Sequence, residues 1–166
     1  MGTAIDVVTG TPEDTRKVAA ALAELLVPGD VVSLTGDLGA GKTTFVQGAA
    51  RGLGVTEQVA SPTFVLVREY RGDVPVCHLD VYRLDRLQEV IDLGFEDLLD
   101  PGSVIFVEWG DAIEPLLPDE HLRVELRTEE DDARRLSFAG RGARWAGRWE
   151  RLEGVLAPWG AGGGTV

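Results

Sequence analysis

A glycine-rich segment of eight residues carries the clearest chemical pattern in the chain. Residues 36–43, Gly-Asp-Leu-Gly-Ala-Gly-Lys-Thr, match the phosphate-binding pattern G-x-x-x-x-G-K-[ST] in full. Glycines permit the backbone dihedrals that turn successive N–H groups towards phosphate oxygens, and a helix starting near Lys42 directs its positive end at the same anion. In this pattern Lys42 reaches the β- and γ-phosphates and Thr43 ligates magnesium. The segment therefore predicts a site for a nucleoside triphosphate.

Two acidic residues at strand ends are candidates to complete a magnesium site. Glu108 follows the apolar run Val104–Val107, and Asp80 follows Val76–Leu79. Magnesium prefers oxygen ligands, and P-loop proteins supply a carboxylate from a neighbouring strand. Glu108 is the stronger candidate, because the carboxyl end of a buried parallel strand faces the ligand crevice. For Asp80, metal binding through water and orientation of an attacking water both stay open.

The elements predicted around these residues form one α/β domain. A strand over Val31–Leu34 precedes the glycine-rich loop, and a helix over Lys42–Leu53 follows it. Other predicted strands are Ile5–Val8, Phe64–Tyr70, Val74–Leu79, Val104–Val107, Leu122–Leu126 and Arg135–Phe138; other predicted helices run from Thr11 to about Leu26, and over Leu87–Leu93, Phe95–Leu99 and Arg144–Leu156. The pattern indicates a P-loop NTPase domain over residues 1–156, whose mixed sheet has a parallel core, antiparallel edge strands and helices on both faces. Residues 157–166 are predicted to be a disordered tail.

Composition and charge exclude several classes of protein. The chain has 166 residues and a net charge of −12, which disfavours a protein that holds a nucleic-acid backbone by itself. The single cysteine, Cys77, excludes an internal disulfide framework. No apolar run is long enough to span a membrane, and the N-terminus has no signal-peptide pattern, so we expect a cytoplasmic protein without a membrane partner.

The C-terminal part is basic against this acidic background. Six arginines accompany only two glutamates there, and these arginines are Arg134, Arg135, Arg141, Arg144, Arg148 and Arg151. The cluster is typical of a solvated surface, and a docking patch for an acidic partner or RNA is the alternative. For Arg134, on the last hairpin, solvation is the favoured interpretation and a contact with the nucleotide is the alternative. His78 is expected to be a structural histidine, because no Cys/His cluster surrounds it.

Motifs that are absent from the sequence limit which nucleotide and which class of reaction we expect. The chain contains no asparagine and no D-x-x-G, so the guanine-recognition motif N-K-x-D is absent and ATP is favoured over GTP. A small-molecule phosphotransferase is one alternative to an ATPase; Arg83 and Arg86 are its candidate phosphate-covering arginines, although no lid-sized insertion is present. A docking module gated by nucleotide binding, with no need for hydrolysis, is the other alternative.

Four motifs together resemble the bacterial TsaE (YjeE) family. They are Gly36–Phe45, Ser61–Phe64, His78–Leu84 and Val107–Trp109, in the family's order and spacing. The resemblance implies an ATPase required for threonylcarbamoyladenosine modification of tRNAs that read codons beginning with A. It also implies two protein partners, TsaD and TsaB, with tRNA contacted only indirectly through the complex. Family members alone hydrolyse ATP feebly, so stimulation by the partners is expected.

The resemblance also implies roles for individual residues. Thr43 and Glu108 would ligate Mg²⁺, and Asp80 would be needed for hydrolysis together with Lys42. Other positions are implied as nucleotide contacts: Thr15, Gly36, Asp37, Leu38, Gly39, Ala40, Gly41, Lys42, Thr43, Thr44, Ser61, Thr63 and Trp109. Of these, Ser61 and Thr63 belong to a switch-like loop near the γ-phosphate. For Trp109, simple packing at a strand end is the alternative.

Overall fold

A seven-stranded mixed sheet is the centre of the domain. The computed structural model describes residues 4–37, 39–60, 67–81, 91–92, 94–99 and 101–160. Its strands are β1 (Ile5–Thr9), β2 (Val31–Gly36), β3 (Val67–Arg71), β4 (Pro75–Asp80), β5 (Val104–Glu108), β6 (Leu122–Thr128) and β7 (Arg134–Gly140). Its α-helices are α1 (Pro12–Ala23), α2 (Lys42–Gly52), α3 (Phe95–Leu98), α4 (Ala143–Ala146) and α5 (Trp149–Leu156), and 3-10 helices cover Gly110–Leu116, Glu130–Asp132 and Ala157–Trp159.

The sheet is parallel in the middle and antiparallel at both edges. The strand order is β1-β7-β6-β2-β5-β4-β3. Strand β2 pairs in parallel with β5 and β6, and β5 pairs in parallel with β4. The outer pairs β3–β4, β6–β7 and β1–β7 are antiparallel. The carboxyl ends of β2, β4 and β5 therefore lie at one edge, which is where parallel sheets place ligands.

Alternate residues of the central strands point into two hydrophobic cores, one on each face of the sheet. On β5, Val104 and Phe106 belong to the larger core, which also contains apolar residues of α1, α2, α4 and α5. Ile105 and Val107 face the smaller core, which Phe95 of α3 and Ile113 of the 3-10 helix cover. Because both faces are covered, all five residues of β5 are buried. The prediction of a mixed sheet with helices on both faces is confirmed.

Helices α1 and α2 both contribute to the larger core and pack closely against each other. Thr11 caps α1, since its hydroxyl accepts a hydrogen bond from the Asp14 backbone N–H at 3.1 Å. A Cβ built on Gly48 of α2 would lie 2.2 Å from the Arg16 carbonyl oxygen of α1. The glycine is therefore required for the two helix backbones to approach this closely.

Most predicted elements are present, and the predicted terminal helix is wrong in its continuity. The expected helix Arg144–Leu156 is two helices, α4 and α5, interrupted at Gly147 and Arg148. The chain also continues past the predicted boundary at Leu156, since Gly160 forms an antiparallel bridge with Val7. The folded part therefore extends at least to Gly160. The predicted helix over Leu87–Leu93 and the start of the predicted strand at Phe64 fall largely outside the described residues.

Two of the C-terminal arginines, Arg144 and Arg148, form structural contacts that neither interpretation of the sequence predicted. The Asp30 carboxylate, fully buried before β2, accepts hydrogen bonds from Arg144 Nε at 2.6 Å and from Arg148 Nη1 and Nη2 at 2.7 and 2.8 Å. Arg148 also stacks over the Trp145 ring, 4.0 Å from its centroid. We call Asp30, Arg144 and Arg148 the arginine clamp. It fastens α4 and α5 to the start of β2.

Candidate nucleotide-binding site

The phosphate loop leaves the carboxyl end of β2 and enters α2 through left-handed glycines. Gly36, Gly39 and Gly41 have φ values of 132°, 81° and 109°. A Cβ on Gly36 would lie 2.1 Å from the Leu126 carbonyl oxygen of β6, so no other residue fits there. The Phe45 N–H bonds Gly41 O at 2.9 Å as α2 begins. The loop therefore places the first turn of α2 at the edge where β2, β4 and β5 end.

Lys42 lies folded back over the loop. Its Nζ donates to the carbonyl oxygens of Gly36 and Asp37, both at 2.8 Å, and lies 3.9 Å from the centroid of the Trp109 ring. The residue is only 5% exposed. Burial lowers the pKa of Lys42, while nearby carboxylates, Glu108 foremost, oppose that shift. A buried ammonium surrounded by oxygen acceptors is suited to exchange those partners for phosphate oxygens.

Thr43 and Glu108 meet beside the lysine. The Thr43 hydroxyl donates to Glu108 Oε2 at 2.8 Å, and His78 Nε2 lies 2.6 Å from the same oxygen. Glu108 is 3% exposed and His78 is fully buried. Thr43 comes from α2, Glu108 from β5 and His78 from β4. Three elements thus converge on one carboxylate at the ligand edge of the sheet.

The donor set fits a magnesium ion that is completed by phosphates and water. Thr43 and Glu108 supply hard oxygen atoms, and Asp80 lies opposite Glu108 in the β4–β5 register. Within the described residues, no group of three or more His, Cys, Asp or Glu side chains is arranged to hold a metal. Magnesium commonly binds through one or two protein oxygens plus substrate phosphates, whereas zinc or calcium needs a fuller protein cage.

Trp109 owes its position to an unusual backbone conformation. It follows β5 directly and adopts the left-handed region, with a φ of 64°. Gly110 comes next, and a Cβ there would lie 2.0 Å from the Ser33 hydroxyl of β2. Because Gly110 has no side chain, the backbone can turn sharply against β2. This turn places the Trp109 ring next to Lys42 Nζ. Packing at a strand end and proximity to the phosphate loop are both properties of this residue.

Arg134 contacts the phosphate loop, whereas Thr15 lies on α1 and contacts β1. The Thr15 hydroxyl is buried and lies 2.7 Å from the Thr9 hydroxyl of β1. Thr9 is opposite Arg134 in the β1–β7 pair, and Arg134 Nη2 donates to Gly39 O at 3.4 Å. The favoured interpretation of Arg134 as a solvated residue is thus incomplete, because its guanidinium contacts the phosphate loop.

Several predicted residues are outside the part of the chain that the structure describes. Leu38, Ser61 and Thr63 are among them, as are the two arginines considered for a kinase lid, Arg83 and Arg86. Ala40 and Thr44 lie in the described loop and the first turn of α2. The nucleotide contacts expected of all these residues stay predictions.

The sequence did not predict the contact between His78 and Glu108. A buried histidine whose Nε2 lies 2.6 Å from a buried carboxylate agrees with the expectation of a structural histidine, and the new finding is its partner. The signal was the alternation of His78 with Asp80, which places both on one face of β4. Only the pairing of β4 with β5 shows that this face adjoins Glu108.

Comparisons with known proteins decide the family. The model of the family described as "Threonylcarbamoyl adenosine biosynthesis protein TsaE" matches residues 9–136. The chain belongs to the TsaE family. A Bacillus subtilis relative named tRNA threonylcarbamoyladenosine biosynthesis protein TsaE is 43% identical over 145 residues, covering 87% of this chain and 90% of the relative. The Treponema pallidum protein of the same name is 38% identical over 132 residues, covering 80% of this chain and 98% of that protein.

A solved structure extends this similarity to the fold. The crystal structure of Bacillus subtilis YdiB aligns with a TM-score of 0.80 and 38% identity, covering 92% of this chain and 96% of that one. The resemblance noted in the four sequence motifs is therefore confirmed, and the glycine-rich loop just described is the P-loop of a TsaE-family domain. No helix in the described ranges is long and apolar enough to cross a membrane.

Proposed function

We propose that this TsaE-family chain binds ATP with Mg²⁺ and hydrolyses it in support of threonylcarbamoyladenosine modification of tRNA. The observation that carries the proposal is the contact between Thr43 and Glu108 beside the buried Lys42. It joins a full phosphate-loop pattern to a strand-end carboxylate, which is the pairing a phosphoryl-transfer site needs. Membership of the TsaE family supports the choice of pathway. A role that combines ATP hydrolysis with tRNA modification supports a cytoplasmic location.

The residues present account for the main chemical demands of ATP hydrolysis. Lys42 and the loop N–H groups neutralise the β- and γ-phosphates, which is the largest part of catalysis in this class. Thr43 and Glu108 are the residues that would hold magnesium, which supplies further charge neutralisation when bound. The position of Asp80 opposite Glu108 in the sheet supports a proposed role in orienting the attacking water or a water on the metal. The Ser61–Phe64 loop is the other candidate for positioning that water.

We also propose that protein partners of the TsaD and TsaB type complete the site. Across the described ranges, no arginine contacts Lys42, Thr43 or Glu108, and Arg134 is engaged with the carbonyl oxygens of Gly39, Asp132 and Ala133. P-loop enzymes without an arginine on the transferring phosphate are slow, and a partner that supplies one raises the rate by roughly 10³–10⁵-fold. The proposed chain is therefore a weak ATPase alone.

A comparison of the chain's two lysines tests this proposal. Lys42→Ala is expected to reduce tRNA modification by the chain together with TsaD and TsaB by about 10²-fold or more, because a preorganised cation at the phosphates is lost. Lys17→Ala is the matched control; Lys17 is exposed on α1, and its loss is expected to leave modification unchanged. Full modification with Lys42→Ala would overturn the proposal. The readout is threonylcarbamoyladenosine formed per tRNA over many turnovers.

A further inference from the structure

A buried histidine contacts the carboxylate that we assign to magnesium. His78 is fully buried on β4, and its Nε2 lies 2.6 Å from Glu108 Oε2. In the β4–β5 register His78 is opposite Phe106, so it reaches diagonally to the next residue on the same face of β5. The histidine is thus at the edge of the nucleotide site without being exposed to it.

The geometry determines which nitrogen carries the proton. An ionised carboxylate only accepts hydrogen bonds, so His78 Nε2 is the N–H donor to Glu108. His78 Nδ1 is buried and has no hydrogen-bond partner among the described residues. The other histidine is the reverse case, because His121 Nδ1 lies 2.8 Å from the Pro118 carbonyl oxygen and must donate to it. The donor nitrogen is therefore Nε2 in His78 and Nδ1 in His121.

Thr43 and His78 both contact Glu108, but only Thr43 is also a proposed metal ligand. Thr43 lies on the first turn of α2, and its hydroxyl oxygen is itself the proposed metal ligand. His78 lies inside the sheet, between two paired strands. A hydrogen bond from the sheet keeps the Glu108 carboxylate oriented while the Thr43 hydroxyl turns to another partner. Groups that orient a ligand in this way commonly change metal affinity by 10–100-fold.

We infer that His78 is a positioning residue that orients Glu108 for Mg²⁺ through its Nε2–H. The inference rests on the proposed function, since it assumes that Glu108 serves the metal. It assigns His78 no contact with the nucleotide. Removing the hydrogen bond should therefore weaken the effect of magnesium on nucleotide binding and spare binding without the metal.

Nucleotide titrations with and without metal test the inference. A fluorescent ADP analogue is titrated into each protein in EDTA and in saturating Mg²⁺, and the ratio of the two Kd values gives the magnesium effect. His78→Phe, which keeps a planar ring and removes the donor, is expected to reduce this effect by about 10-fold or more and leave the Kd in EDTA unchanged. His78→Gln places an amide N–H near the position of Nε2 and is expected to restore most of the effect.

The other buried histidine provides the matched control. His121 precedes β6 at the end opposite Gly36, since Val32 pairs with Leu122 and Gly36 with Leu126. His121→Phe is therefore expected to leave the magnesium effect unchanged. The inference is overturned if His78→Phe shows the full magnesium effect, or if it weakens ADP binding equally with and without Mg²⁺, as a merely structural residue would.

A measurement on the unchanged chain covers the case in which His78→Phe does not fold. ¹⁵N-labelled histidine spectra are expected to show one Nε2–H ring and one Nδ1–H ring, with His121→Gln removing the Nδ1–H signals. Two Nδ1–H rings would contradict the hydrogen bond to Glu108 and overturn the inference. Failure of the proposed function looks different: the unchanged chain would show no magnesium effect at all, and the inference would fall with it.

Discussion

The P-loop lysine of this domain is held by its own chain. Lys42 Nζ donates to two backbone carbonyl oxygens and lies against the Trp109 ring, an interaction worth about 0.5–2 kcal/mol depending on desolvation. Phosphate oxygens entering the loop compete with these three partners for the ammonium. If the proposed function holds, we therefore expect the environment of the indole ring to change when a nucleotide binds.

We predict that Trp109 reports nucleotide binding by its fluorescence. The chain has four tryptophans, so the response is expected to vanish in Trp109→Phe, which removes the fluorophore next to Lys42. Trp145→Phe is the control, since that ring is fully buried under Arg148 in the C-terminal part. An ATP titration followed by tryptophan emission checks this. A response of unchanged size in Trp109→Phe would show that Lys42 and Trp109 stay together in the complex.

Individual site residues differ in how far the sequence predicts them. Lys42 and Thr43 follow from a local pattern, and Glu108 follows from its place after an apolar run. The bond from His78 to Glu108 depends on which strands are neighbours, and 30 residues separate the two in the chain. The position of the Trp109 ring depends on a left-handed backbone and on the space that Gly110 leaves beside Ser33, and neither has a sequence signature.

At the scale of elements, most predictions that rest on a local signal and fall on described residues succeed. Periodicity and turn residues locate the β3–β4 and β6–β7 hairpins and the helix that follows the phosphate loop. The predicted helix Arg144–Leu156 fails because its apolar periodicity continues across a break at Gly147. Arg144 and Arg148 are four residues apart and both contact Asp30, a residue far away in the sequence, so no local pattern contains this pairing.

The arginine clamp makes the attachment of α4 and α5 dependent on pH. Burial alone would raise the pKa of Asp30, but hydrogen bonds from Arg148, from the Val27 N–H and from Arg144 outweigh it and lower the pKa below 3.8. A lowered carboxyl pKa stabilises the folded state fully above about pH 3.8, and this contribution is lost as the pH falls through the folded-state value.

We predict that Asp30→Asn destabilises the domain by about 3–5 kcal/mol at neutral pH, because two partly buried arginines lose their counter-charge. The deficit relative to the unchanged chain should shrink as the pH falls from 3.8 through the lower folded-state pKa of Asp30, where the folded chain also becomes protonated at this residue. Urea unfolding at neutral pH and at a pH below 3.8 measures this difference in the free energy of unfolding. Asp119→Asn, at an exposed position before β6, should change the free energy of unfolding by less than about 0.5 kcal/mol. A deficit that does not vary with pH would contradict this account of the clamp.

At the scale of the whole molecule, the net charge and the residues present at the phosphate site support the proposal that this chain works with other chains. The net charge of −12 disfavours direct binding of a tRNA backbone. The phosphate site has its lysine, its threonine and its strand-end carboxylate, and the described part of the chain brings no arginine to them. The fold and family were predictable because four spaced motifs specify both. The source of the proposed stimulation was not predictable, since an arginine supplied by a partner would lie outside this sequence.

The most direct test of the account is magnesium-dependent ATP hydrolysis by the purified chain, alone and with the TsaD–TsaB pair from the same source. We expect slow turnover alone, strong stimulation by the pair, and loss of the stimulated rate in Glu108→Ala. Fast turnover that the pair leaves unchanged, or a Glu108→Ala variant with full stimulated activity, would contradict an ATPase whose site is completed by its partners.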